Sequence, residues 1–369
     1  MASLPPSKGP ALYIGLMSGT SLDGVDAVLY DGRAVLGHVH APFSAALRDE
    51  LLALNTPGPD ELHRAALAAN GVARSYADVV AQLLEATGRT REQIAALGAH
   101  GQTVRHRPQG FDGYTVQLLN GALLAEQTGI DVVCDLRSRD IAAGGQGAPL
   151  VPAFHRACFG SSDGDIAVLN LGGIANLSLL FADGRTGGFD TGPANCLMDG
   201  WIARHQGRAF DADGAWAASG RVSPALLATL LAEPFFAAPP PKSTGRDLFH
   251  LGWLQARLTP GLQPEDVQAT LLELTARSIA DALRAQMPGA RRLIACGGGA
   301  RNGTLMRRLA DLLPGVVLQS SADHGLPVDQ VEATAFAWLA QCFKEKRPGN
   351  LPAVTGAAGL RLLGCLYPA

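Results

Sequence analysis

The sequence predicts a two-domain α/β protein, and three observations carry that prediction. Its 369 residues exceed the length at which one hydrophobic core usually stops growing. Strand-like and helix-like segments alternate through residues 1–145, the mark of an α/β layer. Two stretches of like form, Tyr13 to Tyr30 and Ile166 to Phe181, each read as strand, glycine-bearing turn, strand. Repetition of that form suggests two halves of related topology. The expected division is 1–145 and 146–369, with Ala142 to Pro149 as the crossing segment and the last helix free to pack back on the first domain.

Taken in order, the opening hairpin is followed by a strand at Ala34 to Phe43 and by Ala/Leu-rich helices over 44–55 and 60–87. Thr56-Pro57-Gly58-Pro59 separates those helices. Ile94 to Ala99 reads as a strand, Thr115 to Leu119 as another, and Asn120 can cap a helix at 121–128. A strand at Ile130 to Cys134 and a helix at 150–159 follow. Leu272, Ala276, Ile279 and Leu283 mark one face of a helix over 264–286. Leu293 to Cys296 is a strand leading through three glycines to a helix capped by Asn302, and Val316 to Gln319 is a strand. Val331, Ala335, Trp338 and Cys342 mark the final helix, and the Pro/Gly-rich tail from Pro348 reads as loop.

Composition narrows the function. A net charge of −3 leaves no basic footprint for nucleic acid. No run of eighteen apolar residues calls for a membrane. The six cysteines are scattered without a C-x-x-C pair, as buried free thiols in a reducing cytoplasm would be. The 44 glycines exceed the usual share of about seven per cent. They concentrate in turns, where backbone must approach something closely.

The turn Ser18-Gly19-Thr20-Ser21-Leu22-Asp23-Gly24 offers backbone N–H and hydroxyl donors to an anion. Asp23 and Asp26 suit an anion only if a divalent cation or a water lies between, as nucleotide–Mg²⁺ would provide. A plain hairpin accounts for the same residues equally well. The signatures of P-loop NTPases, dinucleotide-binding domains, zinc proteases and serine hydrolases are all absent. What remains is three glycine turns after apolar strands, at 18–24, 172–173 and 297–299. Turns at the carboxyl ends of strands are where open α/β sheets bind ligands, so together they point to a nucleotide site.

Longer strings carry a resemblance. Gly15 to Gly24, His100-Gly101-Gln102-Thr103, Arg139 to Pro152, Asn170-Leu171-Gly172-Gly173, Gly188 to Asn195, Lys242 to Arg246 and Cys296 to Ala300 span nearly the whole chain. Their arrangement resembles the phosphate-1, phosphate-2 and adenosine motifs of the sugar kinase, heat-shock and actin superfamily. Within it, the strings are similar to the anhydro-N-acetylmuramic acid kinase family. The resemblance implies a two-domain actin-like (ribonuclease H-like) fold with ATP and Mg²⁺ in an interdomain cleft. It implies hydrolysis of 1,6-anhydro-N-acetylmuramic acid, phosphorylation of the freed O6, and a role in peptidoglycan recycling. The partner is then that small sugar, with no nucleic acid and no membrane, and homodimerisation stays compatible with it.

The same resemblance implies roles residue by residue. Asp190 matches the family's catalytic aspartate; from the residues alone, the favoured reading is that Asp190 or Thr191 caps a helix from Pro193. Gly19, Thr20, Ser21, Leu22, Asp23, Gly24, Val25 and Asp26 would line the β- and γ-phosphates, with Asp23 reaching Mg²⁺ through water. Gly172 and Gly173 would meet phosphates, and Gly297, Gly298 and Gly299 the adenosine. Arg139, and second to it Arg137, would hold the lactyl carboxylate. His100, Gln102 and Glu332 are expected near the sugar. Lys242 and Arg246 lie in a polar loop that either reaches the site on closure or is solvated. A different sugar kinase of this fold, or a nucleotide-switched chaperone or cytoskeletal module, are the rival readings.

Overall fold

A computed structural model describes residues 11–19, 22, 24–240, 242–245 and 248–369. Among the described residues the strands are β1 Leu12–Met17, β2 Val25–Tyr30, β3 Val35–Ala41, β4 Ile94–Ala99, β5 Gln102–Arg107, β6 Tyr114–Leu118, β7 Val132–Cys134, β8 Ile166–Leu171, β9 Ile174–Leu180, β10 Thr186–Pro193, β11 Arg292–Cys296, β12 Val317–Ser320 and β13 Cys365–Tyr367. The chain forms two compact units, Met1–Phe154 with Gln330–Ala369, and His155–Asp329. This differs from the division expected at 145 and 146. The helix Val331–Lys344 and the tail belong to unit 1, because their apolar faces pack on its sheet.

Unit 1 is built on a six-stranded sheet in the order β13-β7-β4-β1-β2-β3. β1, β2 and β3 are antiparallel neighbours, whereas β4 runs parallel to β1 and β7 parallel to β4. Both faces of β1 are covered. Ile14 and Leu16 join Val72, Tyr76 and Leu83 of the helix Glu61–Thr87 in one apolar core. On the other face Gly15 and Gly98 admit the helix Val331–Lys344. A Cβ on Gly15 would lie 1.9 Å from the Ala333 carbonyl oxygen, and one on Gly98 would lie 2.0 Å from that of Phe336. The expected tail loop contains a short helix, Pro352–Thr355, and the strand β13, which pairs antiparallel with β7. Three residues between glycine and proline are too few for a periodic signal.

Unit 2 repeats the plan in the order β10-β9-β8-β11-β12. Again three antiparallel strands come first, and two strands parallel to β8 follow. The helix Pro264–Gln286 buries Leu271, Leu274 and Ile279 with Leu169, Leu177 and Phe189 of the sheet. β10 was unread in the sequence, since Gly187, Gly188, Gly192 and Pro193 argue for turn. It is an edge strand, where glycine and proline are tolerated.

Candidate functional site

Each unit brings a set of the expected residues to the carboxyl end of its first strand. In unit 1, the turn after β1 closes through a bond from Leu22 N–H to the Gly19 carbonyl, 3.2 Å. Leu22 itself sits at φ 57°, buried, so an apolar anchor and not a glycine takes the left-handed position there. Ser18 does not face a ligand. Its buried hydroxyl is 2.9 Å from the Tyr76 hydroxyl and donates to the Gly101 carbonyl at 3.1 Å. Gly24 is required by chain packing, because a Cβ would lie 2.3 Å from the Ala41 carbonyl oxygen. Val25 is fully buried in the core.

Asp26 departs from its expected place among phosphate ligands. It lies in β2, and its Oδ1 faces His38 Nε2 at 2.9 Å and His40 Nδ1 at 3.2 Å on β3. The histidines can offer N–H donors to this half-exposed carboxylate. Thr20, Ser21, Asp23 and Arg246 lie outside the described residues. Among the described residues no three His, Cys, Asp or Glu side chains cluster as a metal cage. A magnesium ion held through water, one carboxylate and nucleotide phosphates needs no such cage.

Of the sugar-binding candidates of unit 1, His100 and Arg137 are bonded to each other. His100 follows β4 and is buried. Its Nδ1 donates to the Ser18 carbonyl at 3.3 Å, and its Nε2 accepts from Arg137 Nε at 3.2 Å. Burial, then the Arg137 charge, push its pKa down to about 3, so the ring is neutral. Arg137 also donates to the Gly147 carbonyl at 2.9 Å. Burial lowers its pKa to about 10, opposed by the negative charge of Glu332. Gln102 is buried and donates from Nε2 to the Gly19 carbonyl at 3.1 Å, so it supports the turn from beneath. Arg139 stands exposed on the short helix Ser138–Ile141, and Glu332 is exposed at the start of the helix Val331–Lys344.

In unit 2, the turn Gly172-Gly173 is tied down by its carbonyls. They accept from Ala194 N and Cys196 N (Gly173) and from Asn195 N (Gly172) at 3.0, 3.1 and 3.0 Å. The amino end of the helix Asn195–Gln206 is thereby satisfied by this turn. Neither Asp190 nor Thr191 caps that helix, whose N-cap is Ala194. Thr191 is buried and donates to the Ala175 carbonyl at 3.3 Å. Gly297 and Gly299 pack inward: Cβ atoms there would meet Asn170 Oδ1 at 2.5 Å and Leu171 Cβ at 2.8 Å. Only Gly298 of the three is exposed with nothing within 4 Å of a Cβ. It is the member of this turn with room for a ligand.

Asp190 is half-buried in β10. Its amide donates to the Lys242 carbonyl at 3.0 Å, and its Oδ2 accepts from Thr244 N at 2.9 Å. Burial raises its pKa to about 6, with the Thr244 bond pulling the other way. Lys242 is half-buried and anchored to the chain. Its ammonium donates to the Phe235 and Phe236 carbonyls at 3.0 and 3.1 Å and lies 4.6 Å from the Phe235 ring centroid. The motif string Lys242 to Arg246 stands out in the sequence, but the bond from its Lys242–Thr244 strap to Asp190 does not, because no local signal ties residues so far apart. A groove of unit 2, about 650 Å³ and walled by Val222, Leu227, Leu272 and Arg308, shares no residue with these turns.

With that geometry in place, a sequence-family profile described as anhydro-N-acetylmuramic acid kinase matches residues 11–369. The protein so named in Variovorax paradoxus is 60% identical over 97% of this chain and 99% of its own. The one from Cupriavidus metallidurans is 58% identical over 97% of each. Among solved structures, component A of the (R)-2-hydroxyglutaryl-CoA dehydratase of Acidaminococcus fermentans covers 88% of this chain and 96% of its own at 14% identity, with a TM-score of 0.49.

Proposed function

The chain belongs to the anhydro-N-acetylmuramic acid kinase family, and from that premise we propose which of its residues carry the reaction. The enzyme opens the 1,6-anhydro ring of its sugar with water and transfers the γ-phosphoryl group of ATP to the freed O6, giving N-acetylmuramic acid 6-phosphate. ATP and Mg²⁺ are its cosubstrate and metal. Its fold is the two-domain actin-like α/β fold, and a nucleotide-switched chaperone or cytoskeletal module is set aside.

Asp190 is the general base. Water attacks the anomeric carbon and gives its proton to Asp190, the bond from that carbon to O6 breaks, and O6 takes the phosphoryl group. The observation that carries this role is a half-buried carboxylate that caps no helix and is held through one oxygen by Thr244. A pKa near 6 leaves it ionised at neutral pH yet basic enough to accept a proton. Gly298 and the Gly172 turn offer backbone to adenosine and phosphates, and the turn at 18–24 meets the β- and γ-phosphates. Asp23 would hold Mg²⁺ through water, and the ion would supply neutralisation of phosphate charge. Arg139 and Arg137 present cations to the lactyl carboxylate, and His100, Gln102 and Glu332 serve the sugar.

Incubation with ATP and the anhydro-sugar should yield one 6-phosphosugar per ADP by mass spectrometry. Retention of that yield and rate by Asp190→Asn would remove Asp190 from the mechanism.

A further inference from the structure

Strand register sets a row of polar side chains beside Asp190 that no motif names as catalytic. Asn170 on β8 lies opposite Asn176 on β9, and Asn176 lies opposite Asp190 on β10. Residues directly opposite in neighbouring strands share a face, with Cβ atoms about 4.5–5.5 Å apart. The adjacent row, Leu169, Leu177 and Phe189, is buried in the apolar core. Alternation along each strand therefore turns Asn170, Asn176 and Asp190 to the opposite face. The irregularity in β10 comes after Asp190, so the Asp190–Asn176 pairing is unaffected.

The two carboxamides differ in what surrounds them. Asn170 is packed under the third glycine turn, where its Oδ1 occupies the space a Gly297 side chain would need. Asn176 is half-buried, and among the described residues no hydrogen bond engages its carboxamide. A carboxamide kept partly out of water costs stability unless something accepts and donates to it. Asp190, for its part, has Oδ2 committed to Thr244, which leaves Oδ1 for the reaction.

We propose that Asn176 positions the attacking water. One water spans two opposed side chains at this spacing, giving one O–H to Asp190 Oδ1 and the other to Asn176 Oδ1. Both hydrogens are then held, and a lone pair is aimed at the anomeric carbon. Asp190 takes the first proton as the carbon–oxygen bond forms, and Asn176 keeps its neutral carboxamide throughout. This rests on Asp190 being the base.

Asn176→Ala should lower kcat by about 10²-fold, the scale of a misplaced reacting group, with melting temperature and ATP affinity unchanged. Asn176→Asp keeps an acceptor but sets a second carboxylate beside Asp190, so the acid limb of kcat should move upward in pH. A kcat for Asn176→Ala within about twofold of wild type overturns the proposal. If that variant does not fold, the near-isosteric Asn176→Asp decides, and an unmoved acid limb overturns it. The two readings fail separately. A fully active Asp190→Asn removes the base whatever Asn176 does. An inactive Asp190→Asn beside a fully active Asn176→Ala removes Asn176 alone.

Discussion

The hairpins β1–β2 and β8–β9 open sheets of the same strand order, yet their turns are anchored in different ways. The first is held by buried side chains, Ser18 on Tyr76 and Gln102 on the Gly19 carbonyl. The second is held by backbone, its carbonyls satisfying the amino end of the helix Asn195–Gln206. The glycines divide likewise. Gly15, Gly24 and Gly98 of unit 1 are filled by neighbouring backbone, whereas a Cβ on Gly172 would meet nothing closer than 3.6 Å and one on Gly298 nothing at all within 4 Å. Shared topology thus brings turns to equivalent sheet ends, and the packing around each decides which backbone is left for a ligand.

The largest effect should come from the carboxylate at the sheet end of unit 2. Asp190→Asn should lower kcat by about 10²–10⁴-fold, the usual worth of a general base, while ATP binding by calorimetry is unchanged. In the wild type, kcat should fall as pH drops below about 6, because protonated Asp190 cannot accept a proton.

Glycine substitutions test the division directly. Gly98→Ala must push a Cβ against the Phe336 carbonyl and should cost about 1–3 kcal/mol of stability in denaturant melts. Gly298→Ala should change stability by less than about 0.5 kcal/mol yet weaken ATP binding. Equal losses of stability in the two variants would erase the distinction between packing and ligand glycines.

A smaller effect is expected from the strap that positions Asp190. Lys242→Met removes the ammonium that ties the strap to the Phe235 and Phe236 carbonyls. It should reduce kcat by about tenfold through loosened positioning, with little change in ATP affinity. Unaltered kcat with intact folding would deny the strap that role.

The least effect concerns pH and stability, where the units should behave alike. His100 in unit 1 and His155 in unit 2 both have pKa values pushed down to about 3 by burial. An unfolded imidazole titrates near about 6.5, so between these values the unfolded chain binds more protons. The stability this contributes is complete above about 6.5 and drains away as pH falls toward 3. Urea melts at pH 7 and 5 should show a shallower decline for His100→Gln than for wild type. An identical decline would mean that His100 is not held neutral.

Much of this was legible in the chain. The hairpins, the Asn120 and Asn302 caps and the helix Pro264–Gln286 follow from short-range rules, because a cap bonds within three residues and an apolar stripe repeats every turn. The site was legible in part. Glycine turns announce themselves, but whether a glycine makes room for a ligand or for a neighbouring strand depends on distant residues. Asp26 looked like a phosphate-site acid until β3 set two histidines against it. Asp190 looked like a cap until β10 ran on to Pro193 and the N-cap fell on Ala194.

By itself, then, the sequence determined the α/β class, the three glycine turns and, through its long motif strings, the family. Those depend on residue type and near neighbours along the chain. Tertiary structure alone decided that the last helix belongs to unit 1, that Gly298 has open space while Gly297 and Gly299 do not, and that Asn176 faces the same side as Asp190. Each of these depends on strand register and on packing between segments far apart in the chain, which no local pattern encodes.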